Sequence, residues 1–207
     1  MYLSVRGEAV TERIVEKSRF IAFVAHTSGE AEAKAFLARV RGEHPQATHV
    51  CYGYVADAIG NEQRFSDAGE PQGTAGMPIL SVLKARKLYE TTVAVVRYFG
   101  GIKLGAGGLT RAYSASAAEG CDAAEICEYG ECVRVSMRVA YPEVSAITRF
   151  LDREGTVYER SFGESAEFIA VVREDGYAGF KSRLNEMLNG RVEITEGERK
   201  IFPFPKQ

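Results

Sequence analysis

The residues best able to do chemistry run from Arg97 to Arg111, Arg-Tyr-Phe-Gly-Gly-Ile-Lys-Leu-Gly-Ala-Gly-Gly-Leu-Thr-Arg. Five glycines (Gly100, Gly101, Gly105, Gly107, Gly108) lie there among three cations (Arg97, Lys103, Arg111). Glycine tolerates positive φ and lets a ligand approach the backbone. A β-branched run, 91–96, leads in, and a run of small residues from Ala112 to Ala118 leads out, which predicts strand, glycine-rich turn and helix. Such a helix aims unpaired N–H groups and the positive end of its dipole at the turn. The segment therefore suits an anion, a phosphate above all. The competing reading is a tight β-to-α connection with surface cations, and the motif alone does not separate the two.

Groups that could act on a bound anion are hard to find. The three histidines (His26, His44, His49) show no metal-ligand spacing, and no G-x-S-x-G, Walker or G-x-G-x-x-G signature is present. Ser114 and Ser116 fall inside a predicted helix. Asp67 and Glu70 could serve as a carboxylate pair or hold a metal, but two acids three apart are common in loops. No catalytic residue is assigned and no cofactor or metal is implied, so the reading leans away from an enzyme.

The elements that must position the segment follow from pattern. Residues 20–25 and 48–56 read as strands, and Thr27-Ser-Gly-Glu30 has the capping-box layout ahead of a helix ended by Gly42. Residues 57–76 lack periodicity and read as a long loop with Asp67, Glu70 and Thr74 as its notable side chains. Thr74 could cap the following helix, 76–89, and Asp67 could form an Asx turn. The three are expected to face the glycine-rich stretch, making loop 67–76 the second wall of a cleft. Beyond a break at 121–130, residues 132–141 alternate apolar and polar. Pro142 then opens a helix, strands follow at 156–161 and 167–173, Asp175 caps a second helix, and 191–195 is a last strand before a tail. The order β-α-β-β-α-β is the ferredoxin-like unit. The expected fold class is α+β in two domains, 1–130 with the glycine-rich anion site and 131–207 ferredoxin-like.

Bulk properties narrow the classes. The chain has 207 residues, 45 % hydrophobic and 26 % charged, with a net charge of −2, which argues against a protein coated in nucleic acid. From Lys84 to Arg111, however, six cations stand against Glu90 alone. Four cysteines at spacings that match no redox or zinc motif suit free thiols in a reducing cytoplasm. No apolar run reaches membrane-span length, so no membrane partner is expected.

Lys17-Ser-Arg-Phe20, Asp67-x-Gly-Glu-Pro71, Gly73-Thr-Ala-Gly76, the block Arg97–Gly105, Gly107-Gly-Leu and Arg111-Ala-Tyr113 together resemble the IMPACT/YigZ family over about the first 120 residues. The chain departs from the common pattern at Ala68, Gln72 and Ala106, and the lost acid at 68 weighs against a two-carboxylate metal site. The resemblance implies an N-terminal domain of the ribosomal-protein-five second-domain superfold, shared with elongation factor G and the GHMP kinases. It also implies a C-terminal domain like the ferredoxin-like domains of elongation factor G. Eukaryotic members regulate translation through protein partners and carry an extra N-terminal domain for them. That role is not expected here.

Three functions remain open at this stage. The first is an RNA- or ribosome-associated protein holding phosphate backbone through Arg97, Lys103, Arg111 and the loop amides, with Arg134, Ser136 and Arg138 extending the surface. The second is a protein-interaction module of translational control, in which the glycines only shape the fold. The third is an enzyme acting on a small phosphorylated molecule.

Overall fold

A computed structural model describes residues 1–205. They divide into two compact units, one of Tyr2–Glu128 with the residues from Pro203 on, the other of Met1 with Tyr129–Phe202. In the first unit the β-branched run becomes β6 (Thr91–Tyr98), buried at every position but its last. A strand covered on both faces reads as a continuous apolar run rather than an alternation. Around it lie β2 (Glu8–Val15), β3 (Ser18–His26), β4 (His49–Val55) and β5 (Gln63–Ser66), in the order β2-β3-β6-β4-β5, each neighbouring pair antiparallel.

Helices cover both faces of this sheet. On one side α2 (Gly76–Arg86) and α3 (Gly105–Ala123) bring Ile79, Leu83, Tyr113 and Ala117 onto Val93 and Val95. On the other, α1 (Glu30–Glu43) sets Phe36, Leu37 and Val40 against Phe23, Ala94 and Val96. The small residues of α3 let it lie close to the strands: a Cβ on Gly120 would come within 2.8 Å of Val24.

The second unit is built from β7 (Glu125–Val139), α4 (Val144–Arg153), β8 (Val157–Phe162), β9 (Ala166–Arg173), α5 (Tyr177–Met187) and β10 (Glu193–Pro205). β10 lies beside β7, then β9, then β8, which is the ferredoxin-like order. Val133, Val135, Met137 and Val139 face Phe150, Leu151, Phe180 and Leu184, so both helices cover one face of the sheet. The fold is α+β, an N-terminal α/β unit of the ribosomal-protein-five second-domain type and a ferredoxin-like unit. No helix of the described residues is long and apolar enough to cross a membrane.

Several local expectations are corrected. β1 (Tyr2–Arg6) and β2 were not foreseen, and β5 interrupts the supposed loop 57–76. Thr27 is not an N-cap: its hydroxyl lies 2.7 Å from that of Thr92, and Gly29, at φ 90°, stands before the helix. Asp175 and Pro142 sit in short 3-10 turns ahead of α5 and α4, without a side-chain cap. Helix α2 stops at Arg86, where Lys87 turns left-handed, and α1 runs through Gly42 to Glu43. The break at 121–130 contains the end of α3 and the start of β7, and the tail joins β10.

One polar tie joins β1, β3 and β6. Ser4 Oγ lies 2.9 Å from both His26 Nδ1 and Thr91 Oγ1, and His26 Nε2 is 3.7 Å from Glu90 Oε2. Ser4 has no exposed surface, so this Ser-His-Glu arrangement cannot meet a substrate and serves structure. Burial lowers the His26 pKa and outweighs the opposing pull of Glu90 and Glu32. The folded state therefore prefers the neutral ring, and its contribution is present above the ordinary histidine pKa and lost as pH falls through it. We expect the urea midpoint to fall on acidification below about pH 6.5, and a His26→Gln variant to show a flatter dependence when the same titration is repeated.

Candidate anion-binding site

The chain leaves the sheet after Tyr98 and turns sharply. A Cβ on Gly100 would lie 2.0 Å from the carbonyl carbon and oxygen of Lys17, so only glycine fits there. Gly101 and Gly105 take φ of 88° and 67°, the left-handed region that glycine enters without strain. Helix α3 then begins with Leu104 as N-cap, no side-chain capping bond and no acid in its first turn. Its leading amides are available to an external acceptor. The amino end of α2 is the opposite case. Asp67 accepts hydrogen bonds from the amides of Gly73 (2.8 Å), Ala75 (2.9 Å) and Gly76 (2.9 Å). Burial opposes ionisation of Asp67, but those three amides together outweigh it and hold the carboxyl below the usual carboxylate range.

Beneath the turn lies a buried polar network. Arg97 Nη1 donates to Glu70 Oε1 at 2.6 Å, their side chains 5 % and 4 % exposed. The hydroxyl of Tyr113 donates to the same oxygen at 2.8 Å. Ser18 Oγ accepts from Arg97 Nη2 at 3.3 Å and from the Gly100 amide at 3.2 Å, and Ser18 is fully buried. The rings of Phe20 and Phe99 lie 5.3 and 5.4 Å from the guanidinium carbon of Arg97. The Cys51 thiol donates to the Asp67 carbonyl at 2.9 Å. Burial pushes that thiol up to about 12 and the Tyr113 phenol well above its ordinary value. A thiol held protonated is no nucleophile at neutral pH.

The structure thus separates the expected site residues. Arg97 is an internal ion-pair partner. Lys103 and Arg111 line a groove of about 470 Å³ along α3, together with Gly108. Its other wall is β2 and the turn after it, through Arg13, Val15 and Glu16. Ile102, before the helix, and Leu104, Ala112 and Ala115, along one helix face, complete the groove. Gly100, Gly101 and Gly105 shape the turn, Gly107 lies in the first turn of α3, and none of the four lines the groove.

Loop 67–76 does not line it either. Asp67 is spent on α2, Glu70 is sealed against Arg97 and Tyr113, and the Thr74 hydroxyl donates to the Pro71 carbonyl at 2.6 Å. Sequence reasoning missed Arg13, Val15 and Glu16. The available signal was the alternation over 8–15, which puts Ala9, Thr11, Arg13 and Val15 on one face. In the ferredoxin-like unit Arg138 lies 3.3 Å from Glu193, which offsets its charge, and the Ser136 hydroxyl is taken up by Glu167 at 2.8 Å.

Two expectations follow for the scaffold of the site. Glu70→Leu leaves the Arg97 charge buried without a counter-charge and should cost about 3–5 kcal/mol of stability. A Glu70→Leu, Arg97→Met double variant should recover much of that loss in urea titrations. Gly100→Ala forces a methyl group into backbone and should cost about 3 kcal/mol or prevent folding. Gly163→Ala, where a Cβ meets nothing within 4 Å, should stay within about 0.5 kcal/mol of the unmodified chain.

Comparison with known proteins accounts for this architecture. Residues 16–121 match the Impact N-terminal domain family. IMPACT family member YvyE of Bacillus subtilis is 39 % identical over 203 residues, covering 95 % of this chain and 91 % of that protein. IMPACT family member YigZ of Escherichia coli is 54 % identical over 101 residues, 48 % of this chain and 50 % of that one. A solved crystal structure described as a hypothetical protein covers 95 % of this chain and 97 % of its own, at 31 % identity and a TM-score of 0.63. With the family's domain matched over half of its length and a relative matched over nearly all of it, this chain belongs to the IMPACT family.

Proposed function

We propose that the protein binds RNA, holding phosphate groups in the groove between β2 and α3. The observation that carries this reading is the meeting of Arg13, Lys103 and Arg111 beside the uncapped amino end of α3. Arg13 is already drawn to Glu119, 3.3 Å away, which leaves Lys103 and Arg111 as the principal phosphate contacts. Phosphate contacts provide affinity without sequence reading. The low net charge limits them to a local site rather than a coat of nucleic acid. The union of an α/β unit with a ferredoxin-like unit, as in elongation factor G, favours RNA of the translation apparatus as the target. Four buried free cysteines suit the reducing cytoplasm in which that apparatus works.

A second reading, a small phosphorylated molecule, is favoured by the groove volume, which falls within the range of ligand pockets. Stabilisation by about 2.7 kcal/mol at a hundred times Kd, seen with sugar phosphates or nucleotides and absent with RNA, would favour it over RNA.

The deciding measurement is RNA affinity as a function of salt. Lys103→Ala with Arg111→Ala should weaken binding and reduce the slope of log K against log salt by about 0.7 for each single-strand phosphate that is no longer neutralised. An unchanged slope and affinity would remove the proposal. Arg97 variants are unsuitable for this test, because they act on stability.

A further inference from the structure

We infer that Glu16 accepts a hydrogen bond from the ribose 2′-hydroxyl of the nucleotide whose phosphate Lys103 and Arg111 hold, making the groove selective for RNA over DNA. The inference rests on the RNA-binding reading above. A carboxylate that lines an anion groove works against phosphate, so its presence there asks for a reason. A direct ion pair is not that reason. Arg13 has Glu119 at 3.3 Å and Arg19 has Glu12 at 2.6 Å, whereas no cation among the described residues stands within ion-pair distance of Glu16.

Its placement is fixed at a cost. Glu16 and Lys17 form the two-residue turn between paired Val15 and Ser18, at φ of 44° and 63°. Hairpin turns of this kind favour Asn-Gly because both central residues need positive φ. Side chains other than glycine held in that region carry strain. The turn cannot readily relax, because the Lys17 carbonyl lies against Gly100, where even a Cβ has no room.

The chemistry of the partner follows. An ionised carboxylate is an acceptor only, and so are phosphate oxygens, so the two cannot bond. Glu16 needs a donor close to the phosphate that the cations hold. In a nucleic-acid strand the hydroxyl nearest the backbone phosphate is the 2′-OH, the group by which RNA is told from DNA. Val15, Leu104 and Ala112 give the sugar and base an apolar surface beside it.

The test compares a labelled ten-nucleotide oligouridylate with its deoxyuridine counterpart at low salt. The unmodified protein should favour the ribo-oligomer about ten-fold or more, the effect of one hydrogen bond to a charged group. Glu16→Ala should abolish that preference by weakening the ribo-oligomer, with the deoxy-oligomer bound as well or better. Glu16→Gln keeps an acceptor oxygen and should retain part of the preference. Equal binding of the two oligomers by the unmodified protein overturns the inference. So does equal tightening of both by Glu16→Ala, which would make Glu16 a mere repeller of phosphate. If Lys103→Ala with Arg111→Ala changes neither affinity, the phosphate reading itself fails. If those charges matter and the ribo-to-deoxy ratio ignores Glu16, only the ribose assignment fails.

Discussion

The ion pair between Glu70 and Arg97 costs several kcal/mol per charge to take out of water, and nothing but geometry offsets that cost. The geometry is supplied from four places in the chain: the loop before α2, the end of β6, the third turn of α3 through Tyr113, and the start of β3 through Ser18. Each of these groups satisfies another, so the network holds only when all four segments are in place. Ser18 also accepts the Gly100 amide, which fixes where the glycine-rich turn departs from the sheet. The position of the groove is set from below, by residues that no ligand touches.

This arrangement divides the cations of one short segment between two tasks. Arg97 belongs to the interior, flanked by Phe20 and Phe99, while Lys103 and Arg111 belong to the groove. Arginine suits the first role because its planar guanidinium spreads its charge, stacks on rings and directs several donors at once. In the groove the requirement is less strict, since a phosphate can be held by a point charge as well as by a fork.

Much of the architecture was legible where one physical demand dominated. The β-branched run of β6, the small residues of α3 and the alternation of Val133 to Val139 each answer to packing on a known face. β2 was missed because Glu8, Glu12 and Arg13 place charge on both of its faces and blur the alternation. The role of Arg97 was hidden for a different reason. Its partner lies 27 positions away, and nothing local distinguishes an arginine bound for the interior from one bound for solvent. Thr27 had the right neighbours for a cap, but a buried hydroxyl on Thr92 took its side chain instead. Tertiary pairing overrode local preference in both cases.

The capture of the α2 amino end by Asp67 has a bearing on how this protein meets dissolved anions. A carboxylate tethered a few residues from the amides it serves is present at a high effective concentration, which bulk phosphate does not readily match. Of the two helices on that face of the sheet, one therefore arrives with its counter-ion built in, while the other, α3, starts without one. Phosphate in solution would thus see an unequal pair, one end silent through self-occupation and the other free to respond.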